Sequence, residues 1–297
     1  MAMQRIFFRA RILPIFFLPS VPSVWPFFTI RKEVLLSMNI LYFCISFAAS
    51  IIGAICGIGG GVIIKPALDL FQLDSAATIN FLSGCTVLGM SCYSFINTMR
   101  QKTDTAYTST ALPLALGAAA GGIIGKQLFT NVCNFFPDSS LVRAIQSVCL
   151  GIITIGTLIY TINKSRIRPL RITSKIVSAL IGFILGIMSS FLGIGGGPIN
   201  LVVLGFFFSM DTKTAATNSL YIIFFSQVAS SLYTVLGDTV PPFSPDTLLL
   251  MVGSGIFGGI VGRKINKHLS NRSVDRLFVI VLIVIIAICI YNALQAL

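Results

Sequence analysis

The chain has 297 residues, 55% of them hydrophobic and only 10% charged, with a mean hydropathy of +0.93 and a formal net charge of +12. A soluble domain carries about 25% charged residues to wet its surface, so 21 basic and 9 acidic side chains cannot coat a particle of this size. The composition excludes an ordinary cytosolic enzyme, a disordered chain and a secreted disulfide scaffold.

The positive charge does not point to nucleic acid. Lys and Arg sit in short connectors between long uncharged runs, as they do at lipid headgroups. Cys44, Cys56, Cys85, Cys92, Cys133, Cys149 and Cys289 form no C-x-x-C pair, and His268 is the only histidine. Most of these thiols lie in apolar runs and are read as small hydrophobes. No metal site, catalytic residue or cofactor is expected.

A helix needs about 20 apolar residues to cross a bilayer. Stretches free of Asp, Glu, Lys and Arg are Val34–Ile64, Ser75–Met99, Thr105–Gly125, Ala144–Asn163, Ile176–Met210, Thr214–Gly237, Thr247–Gly262 and Leu277–Leu297. Backbone polar groups must be satisfied internally in lipid, so these runs predict about eight transmembrane helices in an all-α integral membrane protein. Val34–Ile64 and Ile176–Met210 are too long for one crossing and too short for two. Each is interrupted by glycines, Gly57-Ile58-Gly59-Gly60-Gly61 and Gly193-Ile194-Gly195-Gly196-Gly197. Each therefore reads as a helix, a glycine break and a half-helix.

The two clusters are 136 residues apart. Ala76-Ala77-Thr78 recurs as Ala215-Ala216-Thr217 at an offset of 139, and Gly121-Gly122-Ile123-Ile124-Gly125-Lys126 as Gly258-Gly259-Ile260-Val261-Gly262-Arg263 at 137. The expected organisation is a duplicated four-helix unit, residues 38–163 and 174–297, joined by a basic connector at 164–175. An even helix count gives parallel repeats, unless a half-helix alters the parity. On that count the connector with Lys164, Arg166, Arg168, Arg171 and Lys175 and the one with Arg263, Lys264, Lys267, Arg272 and Arg276 lie on opposite faces, so the positive-inside rule does not orient the chain. Residues 1–37, basic, aromatic and broken by Pro14, Pro19, Pro22 and Pro26, fall outside the repeat. They are expected to be a dispensable extension, with a membrane-surface segment as the alternative.

The glycine breaks allow two readings. Glycines let helices approach closely; alternatively, broken helices aim half-helix N-termini at a central substrate site. Matched positions in both halves favour the second. No phosphate-binding loop or dinucleotide fingerprint is present. With Pro66 and Pro198 following them, the paired clusters resemble the repeated glycine signature of the sulfite exporter TauE/SafE family. Thr217-Asn218-Ser219-Leu220 is similar to that family's polar entry to the next helix. The resemblance covers residues 38–297. It implies a multi-pass permease of the plasma (inner) membrane for small sulfur-containing or organic anions such as sulfite, sulfonates or sulfoacetate. The first half departs from the pattern, with Thr78-Ile79-Asn80 where the second has Thr217-Asn218-Ser219.

The candidate substrate-binding residues are Gly57, Gly59, Gly60, Gly61, Asn80, Gly193, Gly195, Gly196, Gly197, Asn200, Thr217, Asn218, Ser219 and Gln227. Neutral donors combined with helix dipoles suit a small anion that must bind and then leave; the bland alternative is that these polar groups satisfy the backbone or join helices. Lys65 either faces a cavity or, the preferred reading, snorkels to the headgroups. Lys126 and Arg263 read as interfacial anchors at helix ends. Asp69, Asp74, Asp138, Asp211 and Asp275 all lie near run ends, so no carboxylate relay is visible mid-span. Proton coupling is left to Asp69, Asp74 or the substrate itself. An enzyme would need catalytic groups at membrane depth, and a passive assembly subunit would not need two matched breaks. The expected function is alternating access by a secondary permease, with the bilayer and a small anion as its partners and no nucleic acid.

Overall fold

The computed structural model describes residues 25–100, 110–136 and 138–295. Residues 1–38 and 39–297 form two compact units. Most of the proposed N-terminal extension lies outside the described residues, and the architecture below is that of the second unit.

Its helices are α1 (Trp25–Cys56, in this unit from Asn39 on), α2 (Gly61–Phe71), α3 (Ala76–Arg100), α4 (Ala111–Phe135), α5 (Ser139–Asn163), α6 (Lys175–Leu192), α7 (Pro198–Phe208), α8 (Thr212–Leu236), α9 (Pro245–His268) and α10 (Asn271–Gln295). No strand occurs among the described residues. Local chemistry sets several boundaries. Asp138 and Asp211 cap α5 and α8 by accepting from the N–H groups of Ser140 and Thr214. Proline opens α7 and α9, where its missing N–H has no partner to lose. Gly193 ends α6 in the left-handed conformation.

Among the described residues, eight helices are long and apolar enough to cross a membrane: Met38–Cys56, Ala76–Arg100, Ala111–Phe135, Ser140–Arg166, Lys175–Leu192, Thr212–Leu236, Pro245–His268 and Asn271–Gln295. The two 11-residue helices α2 and α7 are too short. Large apolar side chains such as Ile152, Ile159, Phe257, Leu249 and Ile283 stay exposed on the outside, as lipid-facing residues must.

The short helices turn back. Tyr42, near the start of the second unit's part of α1, donates to Asp74 in the α2–α3 turn at 2.6 Å, and Gln72 at the end of α2 donates to Gln295 at the end of α10. Thr247 at the start of α9 donates to Asn39, and Thr78 to the Pro242 carbonyl. These contacts define one end of the bundle, end A. At the other, end B, Lys164 and Thr212 both bond Asp275, Lys213 reaches the Lys267 carbonyl, and Leu170 and Ile172 donate to Phe206 and Phe207 at the end of α7. The hairpin of α1 and α2 therefore starts and finishes at end A, and that of α6 and α7 at end B.

This arrangement corrects the parallel-repeat expectation. The first half enters at A and leaves at B, the second enters at B and leaves at A, so the halves are inverted. Both basic connectors accordingly lie at the same end. Lys164, Arg166, Arg168, Arg171, Lys175, Lys267 and Arg272 all belong to end B, whereas end A carries Asp74, Asp138, Asp238 and Asp246 against Arg143.

Glycine seams join the halves. A Cβ on Gly121 or Gly125 of α4 would strike the carbonyls of Phe183 and Ile187 on α6; one on Gly258 or Gly262 of α9 would strike those of Phe47 and Ile51 on α1. Backbones approach this closely only without side chains between them, which is how helices bind one another in lipid. The contacts also set the register. Gly57 packs on Ala216 and Gly193 on Asn80, while Gly59 neighbours Ile223 and Gly195 neighbours Val87. Each pair is separated from its counterpart by 136 positions, so the Ala-Ala-Thr match at 139 is out of step with the structure. It falls on the first turn of α3 but the second of α8.

Candidate functional site

The two breaks meet at the centre of the bundle. Gly57, Gly59, Gly193, Gly195, Gly196 and Gly197 have φ between 66° and 130°, a region costing other residues about 1–2 kcal/mol. Gly60 has ordinary right-handed geometry and Gly61 already begins α2. A Cβ on Gly61 would sit 2.6 Å from the Ile194 carbonyl oxygen, so one break rests on the other. Around this crossing the walls are apolar: Ile58, Ile194, Val87 and Ile223 are all buried.

A small cavity of about 20 Å³ lies beside the crossing toward end A. α3 contributes Asn80, Phe81 and Gly84; α4 contributes Lys126; α6 and its cap contribute Ser190 and Gly193; α8 contributes Gln227, Ser230, Ser231 and Thr234. Of the expected site residues it gathers Asn80, Gly193 and Gln227. The remaining glycines shape the crossing itself. Asn200 is buried and donates to Ser219 at 3.3 Å, Asn218 donates to the Thr214 carbonyl, and Thr217 back-bonds to Lys213. These four residues of α7 and α8 do not line the cavity.

Lys126 changes the chemistry of the cavity. Instead of anchoring at an interface it is 8% exposed, its Nζ 5.2 Å from the centre of the Phe129 ring, and it pairs with no carboxylate among the described residues. No acid lines the cavity. A buried ammonium in a membrane protein is costly and calls for a counter-charge. Of the neutral groups, Asn80 and Ser190 line the cavity; the Asn80 Nδ2 is buried without a partner, as are the hydroxyls of Ser83 and Ser189 on the same helices, and the Ser190 and Ser226 hydroxyls are 3.4 Å apart. The cavity thus sets one fixed cation among neutral polar groups.

The matching position at end B is closed. Arg263, 137 positions after Lys126, donates to the Ser94 carbonyl at 2.7 Å and to Thr98 Oγ1 at 2.6 Å. Ser94 and Thr98 correspond at an offset of 136 to Ser230 and Thr234, which line the open cavity. The same back-bond links each pair, Thr98 to Ser94 and Thr234 to Ser230.

Sequence reasoning missed Lys126 because the uncharged run stops at Gly125, which made the lysine look terminal. In fact α4 continues to Phe135. The available signal was the match of Lys126 to Arg263. Lys65 also departs from expectation: it does not snorkel but is 2% exposed and bonds Asp69 at 2.7 Å.

Eight helices among the described residues that are long and apolar enough to cross a membrane, with two short helices that each follow a glycine break, make this a multi-pass helical membrane protein. Residues 42–288 match the family described as sulfite exporter TauE/SafE, and the chain belongs to that family. It is similar to the "Probable membrane transporter protein YunE" of Bacillus subtilis (strain 168), with 25% identity over 271 residues covering 83% of this chain and 95% of that protein. No solved structure matches.

Proposed function

We propose that the chain is a secondary permease of the plasma membrane that moves a small anion, of the sulfite or organosulfonate type, by alternating access around the two glycine breaks. The observation that carries this reading is the buried, unpaired Lys126 in a cavity of neutral donors. The substrate anion is its counter-charge. Asn80, Gly193 and Gln227 contact the substrate. The other glycines, with Asn200, Thr217, Asn218 and Ser219, hold the half-helices that rearrange between states. Duplication of an inverted unit accounts for one end being open at Lys126 while the other is closed at Arg263; exchanging the two conformations would exchange the two ends. The concentration of Lys and Arg at end B makes it the cytoplasmic end.

The test is ligand binding by the purified chain. Thermal stabilisation is compared across sulfite, sulfate, thiosulfate, sulfoacetate, taurine, acetate and chloride at matched ionic strength. Saturable stabilisation by one or two sulfur anions is expected, and Lys126→Met should weaken it at least tenfold while the ligand-free protein stays folded. A flat panel, or unchanged binding in Lys126→Met, would overturn the assignment.

A further inference from the structure

The inverted repeat lays out the surroundings of Lys126 a second time, at end B. α1 and α6 correspond at an offset of 136, as do α3 and α8, and α4 and α9 correspond at 137. The contacts keep this register. A Cβ on Gly125 of α4 would strike the Ile187 carbonyl and one on Gly262 of α9 the Ile51 carbonyl, while Gly122 packs on Ser226 as Gly259 packs on Met90. The counterpart of the cavity therefore lies between α9, α3 and the first break. There Arg263 takes the place of Lys126, Gly57 that of Gly193, and Ser94 and Thr98 those of Ser230 and Thr234.

Two sets of contacts shut that place. Arg263 donates to the Ser94 carbonyl and to Thr98 Oγ1. Phe95 stacks on Phe224 with ring centroids 4.5 Å apart and reaches Tyr221 and Phe225 at 5.5 and 5.9 Å. Its counterpart is Ser231, which lines the open cavity and has no ring to stack. The neutral groups differ as well. Asn80, Ser190 and Gln227 accompany the charge at end A, whereas the matching residues at end B are Ala216, Ala54 and Ser91. End B has two donors of its own kind. The Ser94 hydroxyl is buried without a partner, and a guanidinium carries five N–H donors in one plane, able to hold two oxygens of one anion at once.

We infer that Arg263 is the anion's ligand when the permease opens to end B, and that its fork makes this second site selective for oxyanions. This rests on the anion-permease reading above. The guanidinium donors that now hold Ser94 and Thr98 are the ones an arriving anion takes over. Two oxygens on one sulfur or carbon, as in sulfate, a sulfonate or a carboxylate, match the planar fork; a halide presents a single centre and cannot use it. With three neutral partners reduced to alanine or serine, end B depends on that geometry, whereas end A combines a point charge with several donors. Lysine in place of Arg263 would keep the charge and lose the fork.

The site is exposed by copying the open end. Lys126→Met removes the charge of the end A cavity, and adding Phe95→Ser removes the ring stack at end B. Calorimetry on the purified chain should show thiosulfate and sulfate binding return in Lys126→Met/Phe95→Ser, with chloride inert. Adding Arg263→Lys should weaken it at least about tenfold, the scale of one charge-assisted hydrogen bond. No return, a return that survives Arg263→Lys, or equal binding of chloride overturns the proposal. If the double variant does not fold, sided uptake decides with Arg263→Lys alone. In membrane vesicles its KM for thiosulfate should rise at least about tenfold in the orientation that presents end B and less than about twofold in the other. A rise on both sides would make Arg263 only a latch, and no rise would remove it from the path; either result sinks the idea. If the double variant binds through Arg263 while no anion stabilises the wild-type chain, the Lys126 reading fails and this site stands; if only the wild type binds, the reverse holds.

Discussion

Asn80 on α3 and Gly193 at the end of α6 touch directly: a methyl group added to Gly193 would occupy the space of the Asn80 amide. Asn80 belongs to the first half and Gly193 to the second, and both line the cavity. The break in one half thus positions a polar side chain from the other, and neither half builds the site alone.

Gly193→Ala should therefore damage the site twice. The residue has φ +66, costing alanine about 1–2 kcal/mol, and the added methyl would also push Asn80 aside. A lower melting temperature and loss of anion-induced stabilisation are expected. Gly253→Ala is the matched control, since nothing lies within 4 Å of a Cβ there. In mid-helix it should be neutral or up to about 1 kcal/mol stabilising. If both variants behave alike, Gly193 has no special place in the site.

The closed end rests on Arg263. Its two bonds to α3 are charge-assisted and part-buried, worth about 1.5–3 kcal/mol for a charged donor. Losing about 1.4 kcal/mol already shifts a two-state equilibrium tenfold. In Arg263→Met, a cysteine placed at Ser94 should react several-fold faster with a maleimide reaching it from end B. An unchanged rate would mean that Arg263 does not hold that end shut.

Hydrophobic run length gave the helix count directly, because lipid leaves the backbone few options. Its ends were less legible. The run beginning at Thr105 stops at Lys126 only because charge was taken as the boundary, although a lysine can remain inside when a cavity receives it. Direction was not legible either. Nothing in Gly57–Gly61 says whether the chain continues or reverses, and only contacts such as Tyr42 to Asp74 settle that α2 returns to its starting end. The inverted order of the halves, the shared end of the basic connectors and the burial of Lys65 all depend on that reversal. The Ala-Ala-Thr match failed for a simpler reason: small residues suit close packing at many helix positions, so a three-residue identity does not fix a register.

Orientation can be checked in cells. Thr239, in the exposed turn before α9 at end A, and Arg168, in the connector at end B, are both exposed. With end B cytoplasmic, Thr239→Cys should react with a membrane-impermeant maleimide in intact cells, and Arg168→Cys only after permeabilisation. The opposite pattern would reverse the orientation.

Acid sensitivity at end B should trace in part to Asp211. Burial raises its pKa, but hydrogen bonds from Thr214, Lys213 and Asn271 outweigh that and hold the carboxyl below its ordinary value. A carboxylate with a depressed pKa contributes stability that is complete above the unfolded value of about 4 and is lost as pH falls through the folded value. The same side chain caps α8, so Asp211→Ala should cost about 1 kcal/mol at pH 7. Asp211→Asn retains a capping acceptor but has no proton to gain. It should therefore lie closer to wild type at pH 7, and its melting temperature should fall less steeply between pH 5 and 3. Parallel wild-type and Asp211→Asn curves over that interval would show that the cap is not what acid removes.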